Sequence, residues 1–222
     1  MIKALFYKEW IKIRVYTLLA LLFTTGYTLY HLMRILRVAE LKGASHIWEV
    51  MLQKDVIFLD ALQYIPLCIG IALALVQFVP EMYHKSLKLT LHLPHSPLKL
   101  TYTMLLVGFA ILVVLFGINL LIIHIVLHPI LAYELYAHVV NTLYIWFLAG
   151  LVGYFFAAWI TLEPTWRVRL FNCVVSALVL RIYFISATPE AYNHFLPWLL
   201  LYTLCTASLA WISVKRFKAG KQ

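Results

Sequence analysis

Histidine and glutamate side chains recur at a spacing that could bind a metal ion. His124 and His128 lie four residues apart at the end of one apolar run, and Glu134 and His138 repeat that spacing after a short connection. Residues four apart share a helix face, and imidazole and carboxylate groups bind zinc, copper and haem iron. No H-E-x-x-H signature accompanies them. Interfacial histidines flanking Pro129 are therefore the simpler interpretation, and no resident metal is expected.

Two polar residues inside apolar runs are candidates for a transport pathway. Arg181 is the one clear charge within such a run, and a charge inside a membrane is a functional candidate by default. It also lies shortly before Ser186, so its long side chain could instead snorkel to the membrane surface. Asn119 lies in the middle of another run, where an interhelical hydrogen bond is its simplest role.

The nucleophiles, acids and bases of the chain do not favour an enzyme. No Ser-His-Asp order or pair of carboxylates occurs at a shared depth in the apolar runs. Cys68, Cys173 and Cys205 each lie in an apolar run without a C-x-x-C pair, so neither a disulfide framework nor a thiolate metal site is predicted. We expect no catalytic residues and no cofactor in this chain.

The composition places all of these residues in a membrane. The 222 residues are 64% hydrophobic and 12% charged, which leaves too little polar surface for a soluble globule. The basic balance, 18 Lys and Arg against 9 Asp and Glu, is not gathered on a soluble domain, so a nucleic-acid partner is not expected. No linker or repeat divides residues 1–222, and we predict one domain.

Six apolar runs are long enough to cross a bilayer. A hydrocarbon core of about 30 Å needs roughly 20 helical residues. Uninterrupted runs of this length lack the alternation expected of barrel strands. The sequence therefore predicts an all-α membrane protein. The predicted spans are residues 15–33, 59–79, 103–127, 139–162, 168–185 and 195–214.

Lys and Arg are distributed unequally between the two ends of these spans. The positive-inside rule assigns the richer side to the cytoplasm, which puts both termini there, most simply in a bacterial cytoplasmic (inner) membrane. The richer side holds Lys3, Lys8, Lys12, Arg14, Lys85, Lys88, Lys99, Arg167, Arg169, Lys215, Arg216, Lys218 and Lys221. The other side holds Arg34, Arg37, Lys42 and Lys54.

Short amphipathic segments lie outside the spans. Residues 1–14 combine apolar positions with several lysines, which predicts an interfacial elbow helix before the first span. Residues 34–58 form the longest polar stretch, in which Gly43 is expected to break the helix before a short one with an apolar face. Residues 80–99 open with Pro80 and Glu81 and are basic and helix-patterned, as expected of a helix lying flat under the membrane.

The elbow FYKEWIKIR, the connector pattern E-x-x-x-K-S-L-K-L-x-L-x-L-P-x-S-P and the six-span layout together resemble type-2 ABC transporter permeases. The resemblance implies that the connector is a coupling helix, which docks into a groove of a separate ABC ATPase subunit. It also implies a second permease subunit, identical or paralogous, and ATP and Mg held by the partner ATPase. The residues that match the coupling pattern are Glu81, Lys85, Leu87, Lys88, Leu89, Pro94 and Ser96.

The chain departs from that family in one place and lacks a nucleotide site of its own. The segment from Ser186 to His194 is shorter than the outer segment usual in the family, which removes the basis for an outer gate of that kind. No G-x-x-x-x-G-K-[ST] loop is present, so ATP hydrolysis would have to occur in another polypeptide.

The expected function is therefore an exporting permease subunit in membrane lipid. An aromatic, apolar interior would suit lipids, peptides or a haem-like group, and the size of the chain is also similar to that of haem exporter B-like permeases. One alternative is an ATPase-independent secondary transporter or channel, which would favour paired intramembrane acids or broken helical repeats. Another is a membrane scaffold that transports nothing.

Overall fold

The computed structural model describes residues 2–54, 57–83, 86–91, 96–186 and 190–220. Within them the chain is helical and contains no strand, which confirms the predicted all-α class. Turns of 3-10 helix occur at Asp60–Leu62, Arg181–Phe184 and Asn193–Phe195. The α-helices are α1 (Ile2–Lys42), α2 (Ala44–Lys54), α3 (Ile65–Tyr83), α4 (Ser86–Leu91), α5 (Pro97–Leu127), α6 (Tyr133–Thr161), α7 (Trp166–Leu180) and α8 (Leu196–Lys218).

Four helices among the described residues are long and apolar enough to cross a membrane: α3, α5, α6 and α8 with its preceding turn. The chain is thus an integral membrane protein by the length and composition of its helices. Of the six predicted spans, those in α1 and α7 are not among these four. The middle of α1 carries threonines, tyrosines and a glycine that dilute its apolar character, and α7 has 15 residues before it passes into a 3-10 turn.

Helix α1 nevertheless runs from one end of the bundle to the other. Near its start, Lys12 contacts Glu81 in the last turns of α3. Further along, the Thr28 hydroxyl donates to Asn119 in α5, and Arg34 lines a cavity with Asp60, which precedes α3. We call the two ends of the bundle the Glu81 end and the Asp60 end.

Contacts made by Arg169 and by Glu190 likewise lie toward opposite ends of α6. At the beginning of α7, Arg169 Nη2 donates to the Glu163 carbonyl just after α6. At the other end, the Glu190 backbone N–H donates to the Thr142 hydroxyl, and Asn141 Nδ2 donates to the Glu190 carboxylate. Asn141 and Thr142 both lie in the first half of α6, so Arg169 lies toward the Glu81 end and Glu190 toward the Asp60 end.

Helix α6 is the centre of the bundle, and small residues let α3 approach it closely. A Cβ atom on Gly70 would collide with the Gly150 carbonyl oxygen, and one on Gly150 would lie 2.7 Å from the Pro66 carbonyl oxygen. Such contact between backbones is how helices gain dispersion energy in lipid, where apolar side chains have no preference for one another. Large apolar side chains remain exposed on the outer faces of α1, α7 and α8, as contact with lipid requires.

The elbow predicted at residues 1–14 is not confirmed as a separate helix. Helix α1 continues through Arg14 and Val15 without a break, since neither proline nor glycine interrupts the chain before Gly26. Its first turns place Leu5, Glu9 and Ile13 against the rest of the protein, each less than 10% exposed. The amphipathic pattern therefore reflects packing of α1 on the bundle, with Trp10 left exposed on the outside.

The break expected at Gly43 is confirmed. Gly43 has a φ of 82° and separates α1 from α2, a conformation that glycine adopts without steric cost. On α2, Ile47 and Met51 are buried, whereas Trp48 and Leu52 are exposed. Trp48 Nε1 donates to the Ile130 carbonyl oxygen over 3.1 Å, which ties α2 to the connection between α5 and α6.

Candidate functional site at the Glu81 end of the bundle

Two buried carboxylates lie at the contact between α1 and α3. Glu9 is 0% exposed and Glu81 is 2% exposed. Lys12 Nζ lies 2.9 Å from an oxygen of each, and Lys8 Nζ lies 2.9 Å from Glu81 Oε1. A buried carboxylate without a cation would cost several kcal/mol, so the two lysines are what allow both acids to be ionised here. We call Lys8, Glu9, Lys12 and Glu81 the α1–α3 charge cluster.

A hydrogen-bond chain continues from this cluster into the centre of the bundle. Gln77 Nε2 donates to Glu9 Oε2 over 3.0 Å and to the Met104 carbonyl of α5 over 2.8 Å. The Tyr154 hydroxyl of α6 lies 2.8 Å from Gln77 Oε1, to which it donates, and is fully buried. Four helices, α1, α3, α5 and α6, are thus joined through polar groups that cannot reach water.

A third buried carboxylate lies at the same end, where α6, α7 and α8 meet. Glu163 accepts hydrogen bonds from Ser213 Oγ at 2.7 Å and Thr165 Oγ1 at 2.8 Å, and Arg216 Nε lies 3.5 Å away. Arg169 Nη2 donates to the Glu163 carbonyl oxygen over 2.7 Å. This arrangement fixes the last turn of α8 against the beginning of α7. The α1–α3 charge cluster has a counterpart on the other side of α6.

The short helix α4 is held against this end by one face and exposes the other. Leu87 is 2% exposed and belongs to the apolar core, whereas Leu89 is 73% exposed. The neighbouring Lys88 places its ammonium 5.9 Å from the centre of the Phe217 ring in α8, a cation–π distance. Helix α4 is therefore attached to the bundle and presents a leucine to its surroundings.

The other connector residues that match the coupling pattern have environments different from those of Leu87, Lys88 and Leu89. Glu81 points into the bundle, toward the lysines of α1, rather than outward. Ser96 caps α5, with its hydroxyl oxygen 3.4 Å from the Lys99 backbone nitrogen, and Pro97 follows at the first helical position, where its missing N–H costs nothing. Lys85 and Pro94 lie outside the described residues.

Asn119 and Arg181 lie apart from each other and from this end. Asn119 is 2% exposed and makes a clamp between α1 and α5: Nδ2 donates to Thr24 Oγ1 at 3.3 Å, and Oδ1 accepts from Thr28 at 3.0 Å. This geometry agrees with the interhelical role. Arg181 is exposed at the end of α7, and its side chain makes no hydrogen bond or ion pair with another described residue. That position is compatible with snorkelling toward the Asp60 end.

Two of the histidines considered as metal ligands, His124 and His128, lie together between α5 and α6. His124 Nδ1 lies 2.7 Å from the Tyr136 hydroxyl, and the His124 and His128 rings are 5.0 Å apart. These two histidines and Tyr136 thus form an aromatic group between α5 and α6, without Glu134 or His138. Among the residues that the structure describes, no group of three or more His, Cys, Asp or Glu side chains could hold a metal ion.

Sequence reasoning did not identify Glu9, Gln77, Tyr154 or Glu163. A signal existed for Gln77, which is the one amide in the apolar run from Ile65 to Val79, because a polar group in such a run must find a partner inside the protein. Glu163 is a lone acid directly after a long apolar run and precedes two arginines. Glu9 gave no signal, since it lies among lysines in a segment that reads as a charged surface.

No protein-family model, no curated protein and no solved structure matches the chain. Function must therefore be inferred from the chemistry of the chain itself. At the Glu81 end the structure brings together buried ion pairs, helix ends and an exposed apolar residue. None of these groups forms the nucleophile, base and oxyanion arrangement of a catalytic centre. The buried ion pairs and hydrogen bonds hold the helices together at this end.

Proposed function

We propose that this chain is the membrane permease subunit of an ATP-driven exporter, with the 80–99 connector receiving movement from a separate ATPase. The single observation that carries the proposal is the opposed placement of Leu87 and Leu89 on α4. An element that transmits force must be fixed to the body it moves and must expose a contact for its driver. Leu87, buried at 2%, provides the attachment, and Leu89, exposed at 73%, provides the contact.

The proposal includes six membrane crossings with both termini in the cytoplasm. It is supported by the course of α1, which runs the length of the bundle alongside the four apolar helices, and by the contacts of Arg169 and Glu190 toward opposite ends of α6. The excess of Lys and Arg at the Glu81 end assigns that end to the cytoplasm by the positive-inside rule. An ATPase would then meet α4 from the cytoplasm, and a second permease subunit would complete the pathway for an amphipathic or hydrophobic substrate.

Substitution of Leu89 tests this function. Leu89→Asp should leave the amount of protein in the membrane unchanged, because the side chain makes little contact with the bundle. It should lower the amount of a nucleotide-hydrolysing subunit that co-purifies from native membranes by at least about tenfold, since an apolar contact would be replaced by a charge. Leu52→Asp is the matched control, because Leu52 is also 73% exposed but lies on α2 at the Asp60 end.

Two results would contradict the proposal. One is a Leu89→Asp variant that retains its full complement of partner subunits. The other is transport by the purified chain alone in liposomes without ATP. Mass spectrometry of the co-purified material identifies the partner directly and separates loss of an ATPase from loss of an unrelated protein.

A second candidate, an ion-coupled secondary transporter, is favoured by the paired carboxylates of the α1–α3 charge cluster. Glu9 and Glu81 share Lys12 between them, and paired acids of this kind are what proton or cation coupling requires. A proton or sodium gradient should then drive uptake into liposomes that contain this chain alone, and Glu9→Gln should abolish it. If gradients drive no uptake, this candidate is excluded.

A further inference from the structure

A cavity of about 360 Å³ lies at the Asp60 end of the bundle. Its polar lining consists of His31 and Arg34 from α1 and Asp60 from the turn before α3. His31 is 8% exposed and is held between two tyrosine rings of its own helix, with centroid distances of 4.7 Å to Tyr27 and 5.3 Å to Tyr30. A volume above about 300 Å³ is in the range of small-molecule sites.

Arg34 and Asp60 line the same cavity without forming an ion pair. Among the described residues, no hydrogen bond or salt bridge is made by the side chain of either one, to the other or elsewhere. Both residues are exposed, so their charged groups are accessible to a ligand in the cavity. Arg34 and Asp60 do not pair with each other. A bound group with an anion near Arg34 and a cation near Asp60 would pair with both charges at once.

The other described residues of the lining are apolar. Ile35, Val38 and Ile47 come from α1 and α2, and Phe58 from the segment between α2 and α3. Val38 is 36% exposed at the rim of the cavity. The site lies where α3 begins, which is the level at which an apolar span meets the membrane surface. A ligand that fits would carry both a positive and a negative charge at one end and would have an apolar body. It would be located at the membrane surface.

We propose that this cavity binds the headgroup of a zwitterionic phospholipid with a primary ammonium, such as phosphatidylethanolamine. Arg34, with its planar guanidinium, binds the phosphate, and His31 lies beside it as a second donor. Asp60 accepts hydrogen bonds from the ammonium, while the glycerol and the first methylenes of the acyl chains pack on Ile35 and Phe58. The site is independent of the ATPase proposal, since it needs this chain alone.

The binding is measured on the delipidated full-length chain by native mass spectrometry. The probes are dioleoyl phosphatidylethanolamine, phosphatidylglycerol and phosphatidylcholine. Phosphatidylglycerol has the phosphate but no cation, and phosphatidylcholine has a cation that cannot donate a hydrogen bond. Phosphatidylethanolamine should bind at least about tenfold more tightly than either, which corresponds to one charge-assisted hydrogen bond.

Four variants separate the contributions. Arg34→Ala should weaken all three lipids by about tenfold, whereas the control Arg37→Ala, an exposed arginine of α1 outside the cavity, should not. Asp60→Asn should remove the preference for phosphatidylethanolamine over phosphatidylglycerol. Val38→Trp should block all binding by filling the rim without changing a charge.

Soluble glycerophosphoethanolamine distinguishes a membrane lipid from a free zwitterion. Because the apolar wall contributes to binding, millimolar glycerophosphoethanolamine should not displace the lipid. Full displacement would overturn the assignment to a phospholipid. Equal binding of the three lipids, or unchanged binding by Arg34→Ala or Val38→Trp, would overturn the site itself.

Discussion

The Tyr154 hydroxyl donates to Gln77 Oε1 over 2.8 Å, and Gly108 makes the space in which this bond forms. A Cβ atom on Gly108 would collide with the Tyr154 hydroxyl oxygen and would lie 2.6 Å from Gln77 Oε1. Three helices thus meet at one hydrogen bond that is sealed from water. Since Gln77 also donates to Glu9, this bond connects the central helix α6 to the α1–α3 charge cluster.

Substitution of Gly108 should destabilise the bundle, although alanine is the better helix former. The added methyl group must displace the Tyr154 hydroxyl or the Gln77 amide, and overpacking of this kind costs roughly 1–3 kcal/mol. Gly117→Ala is the matched control on the same helix, because nothing lies within 4 Å of its Cβ position. That change should be neutral or should stabilise by up to about 1 kcal/mol.

The measurement for this pair is thermal unfolding of both variants in one detergent, followed by circular dichroism. Gly108→Ala should lower the midpoint, and Gly117→Ala should not. Equal midpoints for the two variants would show that the Tyr154 contact is not tightly packed.

Removal of Lys12 should destabilise the contact between α1 and α3. Lys12→Met leaves Glu9 without its lysine partner and Glu81 with one lysine fewer. The expected cost is about 2–3 kcal/mol, below the usual cost of breaking a fully buried pair because the Lys12 side chain is 20% exposed. Lys3→Met, an exposed lysine of the same helix, should change stability by less than about 0.5 kcal/mol.

A double variant tests whether the loss comes from the charges left behind. Glu81→Gln added to Lys12→Met removes one of those charges, so the second change should cost less in the double variant than Glu81→Gln costs in the native chain. Strict additivity of the two midpoint shifts would show that Lys12 and Glu81 do not interact energetically.

The sequence was enough to predict the all-α class, because long apolar runs indicate membrane-spanning helices directly. It was less informative about α1, where threonines and tyrosines in the apolar run are compatible with several positions relative to the membrane. The contact between Lys12 and Glu81 joins residues 69 positions apart. The spacing of apolar and polar residues along the sequence does not indicate such a contact, since the contact depends on how two helices pack. The pattern assigns Glu81 to the coupling connector but does not predict its burial, which depends on the lysines of α1.

A loss of stability of similar size is expected where α8 meets the end of α6. Ser213 is 0% exposed and donates to Glu163, so Ser213→Ala removes a buried hydrogen bond to a carboxylate and should cost about 1.5–3 kcal/mol. Ser208 lies on the same helix but is exposed, and its hydroxyl donates to the Cys205 carbonyl within that helix. Ser208→Ala should therefore be nearly neutral. The same unfolding assay measures both, and a larger loss for Ser208→Ala would argue against the Glu163 cluster.

Cysteine labelling in whole cells distinguishes six membrane crossings from four. The native Cys68, Cys173 and Cys205 are exposed and must first be replaced, for example by serine or alanine. Single cysteines are then placed at Ser96, Thr165 and Asn193, which lie in loops or at helix starts in the structure.

If α7 crosses the membrane, Thr165 and Asn193 are on opposite sides, because these positions precede and follow that segment. An impermeant maleimide added to intact cells should then label Asn193, while Ser96 and Thr165 should react only after the membrane is opened. Labelling of Ser96 in intact cells would reverse the orientation inferred from Lys and Arg. Protection of Asn193 together with Ser96 would show that α7 does not cross, and α8 would then carry the C-terminus to the side opposite Ser96, which contradicts a cytoplasmic C-terminus.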